Sequence, residues 1–143
     1  MILISHRGNV NGPNPDFENH PTRIKSAISC GYDCEIDIWI VDNKLYLGHD
    51  EPTHLIDIGW LHALKDKLWI HCKDLNTLSK FNTYYNQFNY FFHDSDLGIL
   101  TSHSYIWSIH NVKNGVLVMP EVFDTKVNEY TLGLCSDYIE DYK

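Results

Sequence analysis

A short apolar run that carries two acidic residues is the feature that most constrains how this chain can fold. Residues 34–40 read Cys-Glu-Ile-Asp-Ile-Trp-Ile. In a strand, successive side chains point to opposite faces, so Glu35 and Asp37 share one face and the neighbouring isoleucines share the other. Two carboxylates on one face of an apolar strand repel each other unless a cation lies between them. The run therefore predicts a buried strand with a divalent metal on its acidic face.

Two histidines follow apolar runs in a similar way. Residues 1–5 predict a buried strand, and the loop after it, rich in Asn, Gly and Pro, places His6 at the exit of that strand. Asp42 and Asn43 predict the turn of a hairpin that returns from the acidic strand and presents His49 after a glycine. Both histidines are therefore expected near the ends of strands.

The rest of the chain alternates apolar runs with helical patterns, which is typical of a parallel α/β fold. Pro21 predicts the start of a helix that ends at Gly31, and Asp74 predicts the cap of a later helix. A weaker helix is predicted over residues 55–64. Further strands are predicted over residues 68–72, 90–92, 105–107, 116–119 and 135–139. With 143 residues, 43% of them hydrophobic, the chain is expected to form a single domain spanning 1–143.

Four short motifs occur in an order that resembles the glycerophosphodiester phosphodiesterase family, within the phospholipase-C-like phosphodiesterases. They are His6-Arg7-Gly8, Glu18-Asn19, Glu35-Ile36-Asp37 and Gly48-His49-Asp50. The family folds as a TIM barrel, and a complete barrel usually takes about 250 residues. The resemblance therefore implies a reduced, irregular TIM-type (β/α) barrel of about seven or eight mostly parallel strands.

The resemblance also implies an activity, the metal-dependent hydrolysis of a glycerol-type phosphodiester. By this resemblance His6 and His49 act as general acid and base, and Arg7 helps to hold the phosphate. Glu35 and Asp37 then bind a divalent cation, Mg²⁺ or Ca²⁺, with Mn²⁺ or another softer ion as the alternative. Related enzymes suggest attack by a neighbouring hydroxyl of the substrate, through a cyclic phosphate.

One position departs from the family pattern. Family members usually carry Glu-x-Lys on the next strand, with the Glu as a third metal ligand, whereas this chain has His71 ahead of Lys73. A neutral imidazole weakens a hard-cation site and favours softer ions. Three roles are therefore open for His71: a metal ligand, a hydrogen-bond donor to a ligand, or a core residue. Lys73 is expected to contact the substrate phosphate.

Three other acidic residues are expected to support the site. Asp50 either caps a turn or orients His49 through a hydrogen bond. Glu18, with Asn19, either caps the following helix or belongs to the site, as the family pattern implies. Glu121 ends an apolar run and is a spare carboxylate for the metal.

The net charge limits the kinds of partner that the chain can bind. The net charge of -8 opposes stable binding of nucleic acid, and it makes a metal and local cations necessary if the substrate is an anionic phosphodiester.

The four cysteines lack metal-site spacing and are expected to be reduced and packed. No apolar run approaches the length of a membrane span, and the first strand begins at once, so a cytoplasmic protein without a membrane segment is expected.

Two other functions fit parts of the pattern. A non-catalytic binder of phosphate or of a phospholipid headgroup would account for the change at His71, but it would not need both acid–base histidines. A phospholipase of the sphingomyelinase D type would use similar His and Glu-x-Asp residues, but the chain shows no secretion signal or disulfide framework.

Overall fold

A single sheet of ten strands organises the computed structural model, which describes residues 1–143. The strands are β1 (Ile2–His6), β2 (Asp33–Val41), β3 (Lys44–Leu47), β4 (His54–Ile56), β5 (Leu68–Cys72), β6 (Tyr90–Phe91), β7 (Gly98–Leu100), β8 (Ile106–Ser108), β9 (Val116–Val118) and β10 (Gly133–Ser136). The α-helices are α1 (Pro21–Ser29), α2 (Ile58–Ala63), α3 (Leu75–Tyr84) and α4 (Pro120–Phe123). Two short 3₁₀ segments, Lys65–Lys67 and Ile139–Tyr142, complete the regular structure.

Seven of the strands run parallel, in the order β6-β5-β2-β1-β10-β9-β8. The other three are antiparallel additions at the margins of the sheet. The carboxyl half of β2 pairs with β3, which pairs with β4, and β7 pairs with β8. Since β2 leaves β5 at Ile38 and continues along β3, this long strand connects the parallel sheet to the hairpin.

The sheet curls until its two sides approach each other. The ring centroid of Trp107 in β8 lies 4.9 Å from that of Phe91 in β6 and 5.7 Å from that of Trp69 in β5. These residues belong to an apolar cluster on the inner face that also includes Ile4 and Cys135. No strand pairing joins β6 to β8, so the sheet is a half-barrel closed on that side by side chains.

The main hydrophobic core covers the outer face of β2 and β5. Ile36 and Ile70 are fully buried there against Ile24 of α1, Leu61 of α2 and Phe81 of α3. Burying a side chain of this size contributes roughly 1.5–3 kcal/mol. Because the isoleucines of β2 are fixed outward by this core, the alternation of the strand turns Glu35 and Asp37 to the inner face.

Several local predictions from the sequence are confirmed. Pro21 is the first residue of α1, and Gly31, at φ +96°, follows the end of that helix. Asp42 and Asn43 both have positive φ, as a tight hairpin turn of type I′ requires. Asp74 caps α3 by accepting a hydrogen bond from the Thr77 N–H at 2.6 Å.

The predicted TIM-type (β/α) barrel is wrong. The structure is a curled, mixed sheet with few helices, and only α1, α3 and the four-residue α4 connect consecutive parallel strands in the simple β-α-β manner. The chain is too short for a helix after every strand: residues 109–115 join β8 to β9 without one, and β7 occupies the connection from β6 to β8.

Two further predictions need correction. The helix predicted over residues 55–64 is shorter, because Asp57 caps α2 and the preceding residues pair with β3 as β4. The cap of α1 is His20, whose ring nitrogen accepts from the Thr22 N–H, rather than Glu18 or Asn19. All four cysteines are free. No helix in the structure could span a membrane, because none combines the length and the apolar character that a span needs.

Gly48, between β3 and His49, is expected to tolerate no side chain. A Cβ there would lie 2.0 Å from the Glu51 carbonyl oxygen, whereas a Cβ on Gly31 would meet nothing within 4 Å. We expect Gly48→Ala to lower the free energy of unfolding by about 3 kcal/mol or more, and Gly31→Ala by only about 1 kcal/mol from backbone strain. Urea denaturation of both variants measures the difference, and equal losses would show that the turn at Gly48 is not closed as described.

Candidate functional site

The carboxyl ends of the parallel strands surround one cavity of about 470 Å³. The polar side of this cavity is lined by six residues that the sequence singled out: His6, Arg7, Glu35, His49, His71 and Lys73. They come together because β1, β2 and β5 are adjacent and parallel, with His6 opposite Glu35 and Asp37 opposite His71 in the register. The chemical roles of these residues stay predictions.

His6 is held by a carboxylate that follows β10, the strand that pairs with β1 on the side away from β2. Its Nδ1 lies 2.8 Å from Asp137 Oδ1, just after β10, and its Nε2 lies 3.9 Å from Glu35 Oε2. Burial by itself would lower the pKa of His6, but the hydrogen bond to Asp137 and the charge of Glu35 outweigh it and hold that pKa above the ordinary value. A proton on Nδ1, donated to Asp137, leaves Nε2 directed toward Glu35.

Asp137 is itself fixed in place. Its Oδ1 also accepts from Asn9 Nδ2 at 2.8 Å, and its backbone N–H donates to Glu121 Oε1 at 2.9 Å. Burial tends to raise the pKa of Asp137, but the hydrogen bond and charge of His6 keep it below the ordinary value. An ionised, anchored carboxylate at this position sets the orientation of the His6 ring.

Asp37 is fully buried and has a partner at every side-chain oxygen. Asn19 both donates to Oδ2 and accepts from the Asp37 N–H, at 2.9 Å each. Arg7 Nε lies 3.0 Å from Oδ2, and His71 Nδ1 and Lys73 Nζ lie 3.0 and 3.4 Å from Oδ1. Although burial alone would raise the pKa of Asp37, the hydrogen bond from His71 and the charges of Arg7 and Lys73 hold it well below its usual range.

Glu35 is in the opposite situation. The carboxylate is 3% exposed, and its Oε2 has no hydrogen-bond partner. Burial, and then repulsion by Asp37, raise the pKa of Glu35 above the ordinary value. A buried carboxylate oxygen without a partner costs about 1–3 kcal/mol or more, and a bound cation would satisfy it.

Glu35, Asp37 and His71 form a cluster that fits a metal ion. One potential ligand atom from each lies within 4.8 Å of the others. The unpartnered Glu35 oxygen supports the fit, and two carboxylates with one imidazole suit Mn²⁺ as well as Mg²⁺. The His71 ring is held between neighbours, since it stacks on His93 at 4.3 Å and on Phe91 at 5.3 Å between centroids.

The remaining predicted residues stand at the edge of the site. His49 is partly exposed, and its Nδ1 lies 2.8 Å from Oδ1 of the exposed Asp50. Burial and the charge of Arg7 lower the pKa of His49. The Gly48 N–H donates to the Asp37 carbonyl, which fixes the start of this loop over β2. Glu18 accepts from Arg7 Nη1 at 3.2 Å and so positions the guanidinium.

Glu121 does not complete the metal cluster. Its Oε1 accepts from Ser136 Oγ and from the Asp137 N–H, at 2.9 Å each, because α4 begins directly after β9 and lies against the end of β10. Glu121 therefore lies outside the cluster of Glu35, Asp37 and His71, and its contact secures Asp137, the residue that holds His6.

Sequence reasoning missed Asp137 and Asn9. Asp137 directly follows β10, so the apolar run before it was a signal, but its partner His6 lies 131 positions away in the chain. The sequence places Asn9 in a loop without indicating a role, although it contacts both Glu18 and Asp137. His93, which follows β6 closely in the chain, also lines the cavity.

His71→Ala is expected to weaken divalent-cation binding by about 10- to 100-fold. The substitution removes the donor to Asp37 and one potential ligand, and loss of such groups around a metal has effects of this size. Calorimetric titration with Mg²⁺ and Mn²⁺ measures it, with His62→Ala as the control because His62 is exposed and lies outside the cavity. Unchanged affinity in His71→Ala would remove His71 from the site.

Comparison with protein-family models, curated proteins and solved structures gave no match.

Proposed function

We propose that this protein is a metal-dependent phosphodiesterase whose active site is the cavity at the carboxyl ends of the parallel strands. One observation carries the proposal. A buried Glu35 oxygen without a partner lies 3.9 Å from Nε2 of a histidine whose other nitrogen is bound to Asp137. This arrangement puts an oriented proton carrier beside a place for a cation, and hydrolysis of a phosphodiester needs both.

His6 and His49 supply the proton transfers. One takes the proton of the attacking hydroxyl as the new P–O bond forms, and the other gives a proton to the leaving alkoxide as the old P–O bond breaks. Each transfer contributes roughly a factor of 100 to 10,000 in rate. Both rings line the same cavity. In each ring Nδ1 is hydrogen-bonded to an aspartate, so Nε2 is available for proton transfer.

Glu35, Asp37 and His71 are the residues that would hold the divalent cation. When bound, the cation would lower the pKa of the attacking hydroxyl and offset the charge that builds on the phosphate oxygens. Arg7 and Lys73 add positive charge on the same side of the cavity. This local charge is needed because the chain as a whole carries a net charge of -8, which repels an anionic diester.

A second function is favoured by the partners of Asp37. Both of its oxygens are already engaged by Asn19, Arg7, His71 and Lys73. A site that is balanced in this way without a cation suits a protein that binds a phosphate group and does not cleave it. The two functions differ in whether turnover occurs and in whether it requires a metal.

The test is an assay of chelator-treated protein against phosphodiesters and phosphomonoesters, with Mg²⁺, Ca²⁺ or Mn²⁺ added in turn. We expect cleavage of diesters only, and only with an added ion. Binding of phosphate compounds without cleavage under any ion would favour the second function. Absence of both binding and cleavage would contradict both functions.

A further inference from the structure

The cavity has two chemically distinct sides. The polar side comes from β1, β2, β5 and the loop after β3, as described above. The other side comes from β8, β9, α4 and the residues next to them. It consists of Trp107, Ile109, Val118, Met119, Val122 and Phe123, which we call the apolar wall.

The apolar wall is built into the fold. Trp107 belongs to the inner cluster of the half-barrel, with Phe91 and Trp69 beside it. At the other end of the wall, Glu121 fixes α4 against β10 by accepting from Ser136 and Asp137. The residues that hold His6 in place therefore also hold the apolar wall opposite it.

Part of the apolar wall lies open to solvent. Val122 is 64% exposed and Phe123 is 46% exposed, although both line the cavity. A small hollow of about 40 Å³ adjoins the wall and shares His93, Trp107, Ile109 and Val118 with the main cavity. Exposed apolar residues that continue a pocket mark a surface that binds apolar groups.

Phosphate chemistry does not account for this wall. A phosphate and an alcohol such as glycerol would find their hydrogen-bond partners on the polar side. Contact with six apolar side chains would add no binding free energy for either group. The volume of about 470 Å³ is in the range of pockets that enclose a whole small molecule. The space beside the wall is therefore available for a second, apolar part of the ligand.

We infer that the ligand of this cavity is a phosphodiester in which one of the two esterified alcohols carries an apolar chain or ring that packs on the apolar wall. The inference rests on the proposed function for the position of the phosphate. It adds that the apolar wall, which no sequence motif indicated, determines which diesters bind. The shared chemistry is an apolar ester group, whether it comes from a soluble ester or from a single-chain lipid.

The first experiment measures kcat/KM for a series of glycerol alkyl phosphodiesters, from methyl to octyl, with the cation that supports turnover. Each added methylene is expected to raise kcat/KM by up to about fourfold until the apolar wall is covered. Concentrations below the aggregation threshold test the soluble ester, and the same octyl compound in detergent micelles tests the lipid-like source. A gain only in micelles would assign the effect to a lipid surface and contradict binding of a single chain in the cavity.

Phe123→Ser tests the apolar wall directly. We expect the octyl-to-methyl ratio of kcat/KM to fall by about fivefold or more. Tyr130→Ser is the matched control, because Tyr130 is also an exposed aromatic residue, 55% exposed, but lies outside the cavity. An unchanged ratio in Phe123→Ser, or an equal fall in Tyr130→Ser, would overturn the inference.

A binding series separates this inference from the proposed function. Alkyl phosphonates of increasing chain length are titrated into the protein by calorimetry, with no turnover required. Affinity that rises with chain length, and that falls in Phe123→Ser, supports the apolar wall even if no diester is cleaved. Cleavage with rates and affinities independent of chain length would retain the phosphodiesterase and overturn the apolar ligand.

Discussion

His6→Ala is expected to lower the turnover of a phosphodiester by about 100- to 10,000-fold, because it removes a proton carrier from the cavity. His6→Gln should lower turnover by a similar factor. The glutamine amide supplies a neutral hydrogen-bond donor near Asp137, the partner of His6, while the variant loses the titrating group. Turnover is measured at saturating substrate, and the unfolding temperature of each variant is recorded beside it.

His103→Ala is the matched control for these variants. His103 is an exposed histidine in a second hollow at the amino ends of the strands, away from the candidate site. Its removal should leave turnover within about a factor of two of the wild-type value. Wild-type turnover in His6→Gln would show that His6 does not transfer a proton, and a loss in His103→Ala equal to that in His6→Ala would show that the loss is not specific.

Glu35→Gln is expected to abolish the stabilisation of the protein by a divalent cation. A ligand that binds only the folded state, present at 100 times its Kd, stabilises that state by about 2.7 kcal/mol. The wild-type protein should gain this amount, and Glu35→Gln should gain close to nothing. Without a cation, Glu35→Gln should be more stable than the wild type, because the substitution removes both the burial of a charge and its repulsion by Asp37, which together raise the pKa of Glu35.

Thermal unfolding with and without Mg²⁺ or Mn²⁺ measures both effects. Glu129→Gln is the control, since Glu129 is exposed and the same neutral amide there should leave the cation response intact. Equal stabilisation by the cation in wild type and in Glu35→Gln would place the cation elsewhere. If Glu35→Gln without a cation is less stable than the wild type by several kcal/mol, Glu35 makes a favourable contact in the folded protein, and its Oε2 is not a free ligand for a cation.

Local signals explain why much of the secondary structure could be predicted. A proline starts α1, Asp42 and Asn43 form the turn between β2 and β3, and Asp74 caps α3; each acts on its immediate neighbours. The alternation of Glu35 and Asp37 with isoleucines likewise predicted which face of β2 is polar. Such features depend on a few adjacent residues, so they can be interpreted without the rest of the chain.

The overall architecture could not be predicted in the same way. The three residues of β7 are largely exposed and carry no apolar alternation, and β4 is a three-residue strand that exists only through its pairing with β3. The strand β7 stands where a TIM barrel would have a helix, and β4 shortens the helix that was predicted over residues 55–64. The contact between His6 and Asp137 also depends on strands that are far apart in the chain. The apolar wall, although its residues 107–123 are close in the chain, faces the polar side of the cavity only because the sheet curls.

One measurement tests the proposed site most directly: phosphorus NMR of a phosphodiester incubated with chelator-treated protein, before and after addition of a divalent cation. We predict that the diester resonance is stable at first and converts to that of a monoester, or of a cyclic phosphate, once the cation is added. The same sample prepared with His6→Gln should show conversion at least about 100 times slower. A diester resonance that stays unchanged with every cation, or converts equally fast in His6→Gln, would contradict a phosphodiesterase site in this cavity.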